Sequence, residues 1–130
     1  MKKLVYLLAV FLLILAFSLT ACGGGQQNNA AAQASQGDAA AGQKLFTQTC
    51  SACHGSAGEG VQGLGKDMTT SEFIAEKSND ELVSFIKVGR DPSDPLNTTG
   101  VAMPPKGGNP ALSDEDLQNI VAYIRTLYKK

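Results

Sequence analysis

The stretch CSACHG, from Cys50 to Gly55, decides how this chain is organised. It ends a helical pattern, AAAGQKLFTQT, that an Asp38 cap begins. On a helix Cys50 and Cys53 are neighbours three positions apart, so their sulfurs project to one side. His54 follows directly and lies four positions after Cys50. The stretch therefore predicts two thiols and one imidazole on a single helix face.

Cys-x-x-Cys-His is the signature of covalent haem attachment. Two thiols at this spacing can form thioethers with the vinyl groups along one porphyrin edge, and the imidazole can reach the iron. A zinc site needs four ligands, whereas His54 is the only histidine of the chain. A thioredoxin-like dithiol lacks its βαβ context here, and a disulfide explains less because it leaves the histidine unused. We expect one haem c, with Cys50 and Cys53 as thioether residues and His54 as an iron ligand.

The second iron ligand must be of another kind, because no other histidine is present. Of the three methionines, Met1 would be lost with the leader, and Met68 precedes a short helical pattern. Met103 lies in VAMPP, where two prolines stiffen the backbone. A neutral thioether must be held in place by the protein, which favours Met103. Met68, an open position, and ordinary core packing of Met103 are the alternatives.

Three further helical patterns follow the haem motif. A short one lies in TTSEFIAEK. The next begins with a Ser78–Glu81 capping box and ends at Gly89. The last, LSDEDLQNIVAYIRTLYKK, begins at a Ser113 cap and carries an apolar stripe. No strand pattern of comparable length is visible, so an all-α fold of about four helices is predicted, and a central cofactor would organise its long loops.

The leader, residues 1–21, has the pattern of a secretory signal. MKK is a basic start, LVYLLAVFLLILAF is an uninterrupted apolar run, and small residues follow. LTAC, which ends at Cys22, resembles the lipobox of bacterial lipoproteins, whose cysteine is acylated. An uncleaved membrane anchor and a free or disulfide-bonded Cys22 are the alternatives. We expect lipidation at Cys22 and a domain on the extracytoplasmic face of a bacterial membrane.

Residues 22–37 and 38–130 differ in composition. The first segment, GGGQQNNAAAQASQG after Cys22, has no charge and no large apolar residue, which is typical of a flexible linker. The second keeps all 12 acidic residues and nine of the 11 basic ones, because Lys2 and Lys3 lie in the leader. This mildly acidic balance has no basic run, so nothing supports binding to nucleic acid.

Asp38–Lys130 resembles a class I cytochrome c over essentially its whole length. GQKLFTQTCSACHG is similar to the first helix and haem motif of that family, NIVAYI to its last helix, and VAMPP to its axial-methionine loop. The resemblance implies a small all-α fold wrapped around one haem. It also implies crossed first and last helices, with Gly42 and Phe46 against Ile120 and Tyr123.

One departure from the family concerns the loop after the haem motif. The family often has a proline there whose carbonyl orients the histidine, and VQGLGKDM has none. Because a ligand histidine usually donates through its other nitrogen, we expect a carbonyl from Gly63–Lys66 to accept from His54. Arg90, just after Gly89, is a candidate contact for a haem propionate, with a solvated charge as the plain alternative.

The predicted function is single-electron transfer by a lipid-tethered carrier rather than catalysis. His/Met ligation fills both axial positions and raises the reduction potential. The partners implied by the resemblance are a quinol-oxidising complex, of bc1 type or alternative complex III, and a terminal oxidase or photosynthetic reaction centre. The chain would act as a free shuttle or as a subunit of one of these. A haem sensor or peroxidase-like protein with a labile sixth ligand, and a purely structural haem subunit, are the alternatives.

Overall fold

The computed structural model describes residues 37–129. Within this range the chain forms five α-helices and one 3-10 turn. These are α1 (Ala39–Thr49), α2 (Ser51–His54), α3 (Glu72–Glu76), α4 (Asn79–Val88), the turn (Pro105–Gly108) and α5 (Asp114–Leu127). The described residues contain no strand, only two isolated β-bridges, Val61–Gly65 and Arg90–Met103. The predicted all-α fold is confirmed.

The predicted leader, residues 1–21, and the predicted lipidation residue Cys22 lie outside the described residues. So does the linker, except for Gly37. A Cβ atom at Gly37 would lie 2.3 Å from the carbonyl oxygen of Gln118, and the Asp38 amide donates to Asn119 Oδ1 over 2.6 Å. The first two described residues, Gly37 and Asp38, therefore already contact α5. Among residues 37–129, no helix has both the length and the apolar character that crossing a membrane requires.

The first helical pattern is interrupted at Cys50. Asp38 caps α1 as predicted, accepting from the amides of Ala40 and Ala41. At Cys50 the backbone turns to φ −105°, ψ −31°, which ends α1 and starts α2. Ser51 Oγ donates to the Thr47 carbonyl over 2.6 Å, a side-chain contact that bends helices. This break raises the number of α-helices from about four to five.

The first and last helices cross in close contact. A Cβ atom at Gly42 would lie 1.8 Å from the carbonyl oxygen of Asn119, so only glycine permits this approach. One turn later the rings of Phe46 and Tyr123 meet edge to face, with centroids 5.3 Å apart. The expected crossing of the first and last helices is therefore confirmed.

The last helix, α5, contributes more buried residues to the core than any other described helix. Its predicted stripe is buried at Leu117, Ile120, Val121 and Ile124, while Leu127 packs against the core with part of its surface exposed. Burying each such side chain contributes about 1.5–3 kcal/mol. The apolar residue before the Ser113 cap, Leu112, is 4% exposed and Leu117 is fully buried, at the two positions that form a hydrophobic staple.

Two polar devices fix α3 and α4 against this core. The Ser78–Glu81 capping box is present: the Glu81 amide donates to Ser78 Oγ over 3.2 Å, and the Ser78 amide donates to the Glu81 carboxylate over 2.8 Å. Arg125 of α5 donates from Nε to Asn79 Oδ1 over 2.9 Å and from its two other nitrogens to the carbonyls of Ile74 and Lys77. One guanidinium group thus holds the end of α3 and the start of α4.

Candidate functional site

The predicted haem residues line a single cleft. The cleft is open to solvent at its mouth, and the empty space between its walls, part of it solvent, amounts to about 1210 Å³. Most of its lining is apolar, contributed by α3, α4 and α5 and by the loops that carry Met68 and Met103. The residues of predicted chemical importance that line it are Cys50, Cys53, His54, Met68, Arg90 and Met103.

His54 is oriented by the loop that follows it. Its Nδ1 lies 2.9 Å from the carbonyl oxygen of Lys66. Because a carbonyl can only accept, Nδ1 carries the proton and Nε2 keeps its lone pair for a metal. The acceptor lies within the predicted segment Gly63–Lys66. Gly65 makes the approach possible, since a Cβ atom there would lie 2.1 Å from the Cys53 carbonyl oxygen.

Cys50 and Cys53 are free thiols, and both are partly exposed in the cleft wall. Burial, and to a smaller degree the neighbouring Cys53, raises the pKa of the Cys50 thiol to about 11. Cys50 therefore stays protonated at neutral pH in the chain without cofactor. Addition of such an S–H group across a vinyl double bond gives a thioether, the bond that the motif predicts.

Met103 is held through its backbone. Its amide donates to the Arg90 carbonyl over 2.9 Å, and the Arg90 amide donates to the Met103 carbonyl over 2.8 Å. This reciprocal pair joins the methionine loop to Arg90, the second residue after the end of α4. At Gly89, with φ +76°, a Cβ atom would lie 2.2 Å from the Met103 carbonyl oxygen. Glycine at the helix end thus allows the two segments to pair.

The segment after Met103 turns sharply. Pro104 is extended at φ −69°, ψ 154°, and a 3-10 turn begins at Pro105. Lys106 adopts φ +54°, ψ +28°, a left-handed conformation that is uncommon for a residue with a side chain. Its ammonium donates to the carbonyl of Leu112 over 2.6 Å, which closes the turn against the start of α5. The prolines and this lysine together fix the course of the methionine loop.

Arg90 is mostly buried beside the cleft, with its side chain 10% exposed. Its guanidinium carbon lies 4.9 Å from the ring centroid of Phe73 and 4.7 Å from that of Phe85. Nη1 donates to the Leu96 carbonyl over 3.2 Å. Nε is buried without a hydrogen bond among the described residues, 3.6 Å from an oxygen of Asp94. Arg90 therefore pairs with the carboxylate of Asp94, and its contact with a haem propionate stays a prediction.

The comparison with protein families identifies the fold that carries this cleft. The model of the family described as "Cytochrome c" matches residues 39–128, from the start of α1 to just beyond α5. The chain belongs to the cytochrome c family. The expectation from the resemblance is confirmed at this level.

Individual relatives agree with the family assignment. A cytochrome c-555 of Chlorobaculum thiosulfatiphilum is 34% identical over 87 residues, covering 67% of this chain and 93% of the relative. A cytochrome c-554(547) of Halothiobacillus neapolitanus is 33% identical over 97 residues, covering 70% of this chain and 98% of the relative. A cbb3-type cytochrome c oxidase subunit CcoP of Azospirillum brasilense is 26% identical over 93 residues, and the match covers 31% of that protein. No solved structure matches the chain at a significant level.

As a cytochrome c, the chain carries covalently bound haem c and transfers electrons. The donor set fits this cofactor: two thiols at the attachment spacing, an imidazole with a free Nε2, and a thioether, all lining one cleft. Iron ligation by His54 and Met103, the propionate contact of Arg90 and lipidation of Cys22 remain predictions. Met68 also lines the cleft and is only 8% exposed, so it remains the alternative methionine.

Sequence reasoning missed several residues that shape this site. The pattern TTSEFIAEK predicts only a short helix at Phe73, which in the structure lines the cleft and contacts Arg90. The sequence does not show which atoms Gly65 and Gly107 approach, although a Cβ atom at Gly107 would lie 2.9 Å from Thr49 Cγ2. The available signal was the crowding of glycines after His54 and on either side of Met103. A glycine marks a close approach, but its partner cannot be read from one sequence.

Proposed function

We propose that this protein is a membrane-tethered, monohaem electron carrier whose iron is ligated by His54 and Met103. The observation that carries the proposal is the position of Met103. It lines the same cleft as the haem motif, in a segment fixed by a backbone bridge and two prolines. A protein that used a vacant iron position for substrate would gain nothing from such a restrained thioether.

The haem supplies an iron that cycles between Fe(III) and Fe(II) by one electron. The chain's residues tune that cycle. Cys50 and Cys53 fix the cofactor covalently, and the Lys66 carbonyl holds His54 in one tautomer and one ring orientation. Met103 contributes a neutral, soft ligand that favours the ferrous state and raises the potential. With His54 and Met103 both bound to the iron, the haem would exchange electrons without forming a bond to a substrate.

The proposed partners are membrane complexes. A quinol-oxidising complex, of bc1 type or alternative complex III, would donate, and a terminal oxidase or a photosynthetic reaction centre would accept. The CcoP relative is named as an oxidase subunit, which supports an oxidase and leaves room for a subunit role. Lipid attachment at Cys22 would keep the domain beside such complexes and raise their effective concentration.

The ligand assignment is tested on the purified holoprotein by absorption spectroscopy. We expect the ferric form to show the red charge-transfer band of a sulfur–iron bond, and the ferrous form to resist carbon monoxide. Met103→Ala should abolish the band and admit carbon monoxide. The matched control is Met68→Leu, which replaces the other methionine of the cleft and should leave both properties unchanged. A wild-type protein that binds carbon monoxide readily would instead be a sensor or a peroxidase-like protein.

The tether is tested in cells. A labelled fatty acid should be incorporated into the wild-type chain but not into a Cys22→Ser variant, and the variant should leave the membrane fraction. Equal labelling of both chains would contradict lipidation at Cys22.

A further inference from the structure

We propose that Arg90 is a positioning residue for Met103, and that it acts through its buried guanidinium group rather than through its charge alone. The inference rests on the proposed ligation of the iron by Met103. It assigns to Arg90 a task different from, and compatible with, the predicted propionate contact.

The first step is the backbone bridge. Both main-chain hydrogen-bonding groups of Met103 pair with those of Arg90, at 2.8 and 2.9 Å. The position of the Met103 backbone is therefore fixed relative to that of the Arg90 backbone. Arg90 in turn follows Gly89, whose φ of +76° makes it a permissive joint at the end of α4. Something other than the glycine must fix the direction in which the chain leaves the helix.

The guanidinium group supplies that restraint. The rings of Phe73 and Phe85 stand 5.0 Å apart at 61°, and the guanidinium carbon lies within 5 Å of both centroids, at 4.9 and 4.7 Å. It thus occupies the corner between a residue of α3 and a residue of α4. A planar, delocalised cation suits two ring contacts at once, whereas an ammonium is a compact point charge. The contacts also offset part of the cost of burying the charge.

A third anchor lies at the Leu96 carbonyl. It accepts from Arg90 Nη1 over 3.2 Å and from Lys66 Nζ over 3.4 Å. Lys66 is also the residue whose carbonyl lies against His54 Nδ1. The residues that support the two predicted ligands, Lys66 for His54 and Arg90 for Met103, therefore donate to the same carbonyl.

The experiment compares ferric holoproteins by their affinity for added imidazole, which must displace Met103 from the iron. Arg90→Lys keeps the charge and loses the planar group, and Arg90→Gln loses both. We expect each to raise imidazole affinity about tenfold, the change that a lost cation–π contact of ~1.4 kcal/mol would give. The matched control is Arg125→Lys, which changes a partly buried arginine that holds two helices together but does not line the cleft. It should lower the free energy of unfolding and leave imidazole affinity within about twofold.

The outcomes separate this inference from the ligand assignment. Absence of the sulfur–iron band in the wild-type protein would overturn Met103 ligation and this inference with it. If the wild type shows the band but Arg90→Lys keeps wild-type imidazole affinity, only the positioning role fails, and Arg90 acts by charge. Phe73→Leu, which removes one ring and leaves the guanidinium group, should raise the affinity by a smaller factor. An unchanged affinity in Phe73→Leu would also count against the role.

Discussion

His54 and Met103 line the same cleft, but the chain holds them by different means. His54 belongs to a helix, follows directly after Cys53, and is oriented by a carbonyl twelve positions further along. Met103 belongs to a loop, and its backbone partner Arg90 lies at the end of another helix. The histidine side is thus local in sequence, whereas the methionine side depends on contacts between separate segments.

This difference predicts which of the two ligands leaves the iron first when the fold is destabilised. Segments with few buried apolar contacts open first, and both loops have exposed apolar residues: Leu96 (56%) and Val101 (40%) before Met103, and Val61 and Leu64 (38% each) after His54. On the histidine side, two covalent bonds to the cofactor would hold α2 in place even when the loop opens. We therefore expect the methionine to leave the iron before the histidine under any mild destabilisation. Substitutions at glycines that permit close approaches can test each side separately.

The largest effect is expected from Gly89→Ala. Its Cβ atom would lie 2.2 Å from the Met103 carbonyl oxygen and 2.8 Å from the carbonyl carbon of Pro104. The two segments would have to separate, which breaks the bridge to Arg90. We expect loss of the sulfur–iron band and binding of carbon monoxide by the ferrous form. The free energy of unfolding should fall by about 2–4 kcal/mol, from strain at positive φ and from the clash.

Gly100→Ala is the matched control. Gly100 has φ +71°, close to the +76° of Gly89, but no atom lies within 4 Å of its Cβ position. Gly100→Ala should therefore lower the free energy of unfolding only by the strain of a left-handed alanine, about 1–2 kcal/mol. The sulfur–iron band should remain. If both variants lose the band equally, backbone strain rather than the close approach controls the loop.

Gly65→Ala probes the histidine side and should have a smaller effect. Its Cβ atom would lie 2.1 Å from the Cys53 carbonyl oxygen, so the loop must shift and the Lys66 carbonyl must move away from Nδ1. A less strongly hydrogen-bonded imidazole donates less to the iron and stabilises Fe(III) less. We expect the reduction potential to rise, by up to about 59 mV for a tenfold shift of a one-electron equilibrium. Redox titration measures this directly.

The methionine ligand should survive this change, because the covalent attachment and the bridge to Arg90 are untouched. Gly63→Ala is the control: Gly63 has φ +72° and no neighbour within 4 Å of its Cβ position. It should lower stability without moving the potential. A Gly65→Ala variant with an unchanged potential would show that the Lys66 carbonyl does not tune the iron.

The same contrast explains what the sequence could predict. The haem motif, the Asp38 and Ser113 caps and the stripe on α5 are local patterns, and each appears in the structure where it was expected. The break at Cys50 and the left-handed Lys106 escaped prediction. A cysteine does not by itself indicate a helix break, and a lysine does not indicate a left-handed conformation. Both backbones are accompanied by side-chain hydrogen bonds that the sequence does not show. The sequence limited the carbonyl acceptor for His54 to the four residues Gly63–Lys66 but could not identify Lys66 among them, because any backbone carbonyl can accept.

The contacts around Met103 were the least predictable part of the site. VAMPP indicated a rigid loop, but not that Gly89 and Arg90 would pair with it. Likewise, nothing in the spacing of Phe73 and Phe85 places a guanidinium group between them. Such contacts join residues of separate elements, and a single sequence does not show which of these residues pair. They depend on how the helices and loops are arranged around the cleft.

The smallest predicted effect concerns Glu81, at the end of α4 remote from Gly89. The hydrogen bond from the Ser78 backbone, with Lys77 and the Ser78 side chain contributing, lowers the pKa of Glu81 to about 2. A carboxylate whose pKa is lower in the folded chain stabilises the fold above its usual pKa of about 4.3. That stabilisation is lost as the pH falls from there towards 2. At neutral pH the wild type should therefore have a larger free energy of unfolding than Glu81→Gln, and this difference should shrink as the pH falls towards about 3.

The sulfur–iron band should not differ between the two proteins at any of these pH values, because the cap acts on α4 and not on the bridge to Met103. A difference in stability that is constant with pH, or a band that weakens only in the variant, would contradict this separation between the helix cap and the ligand loop.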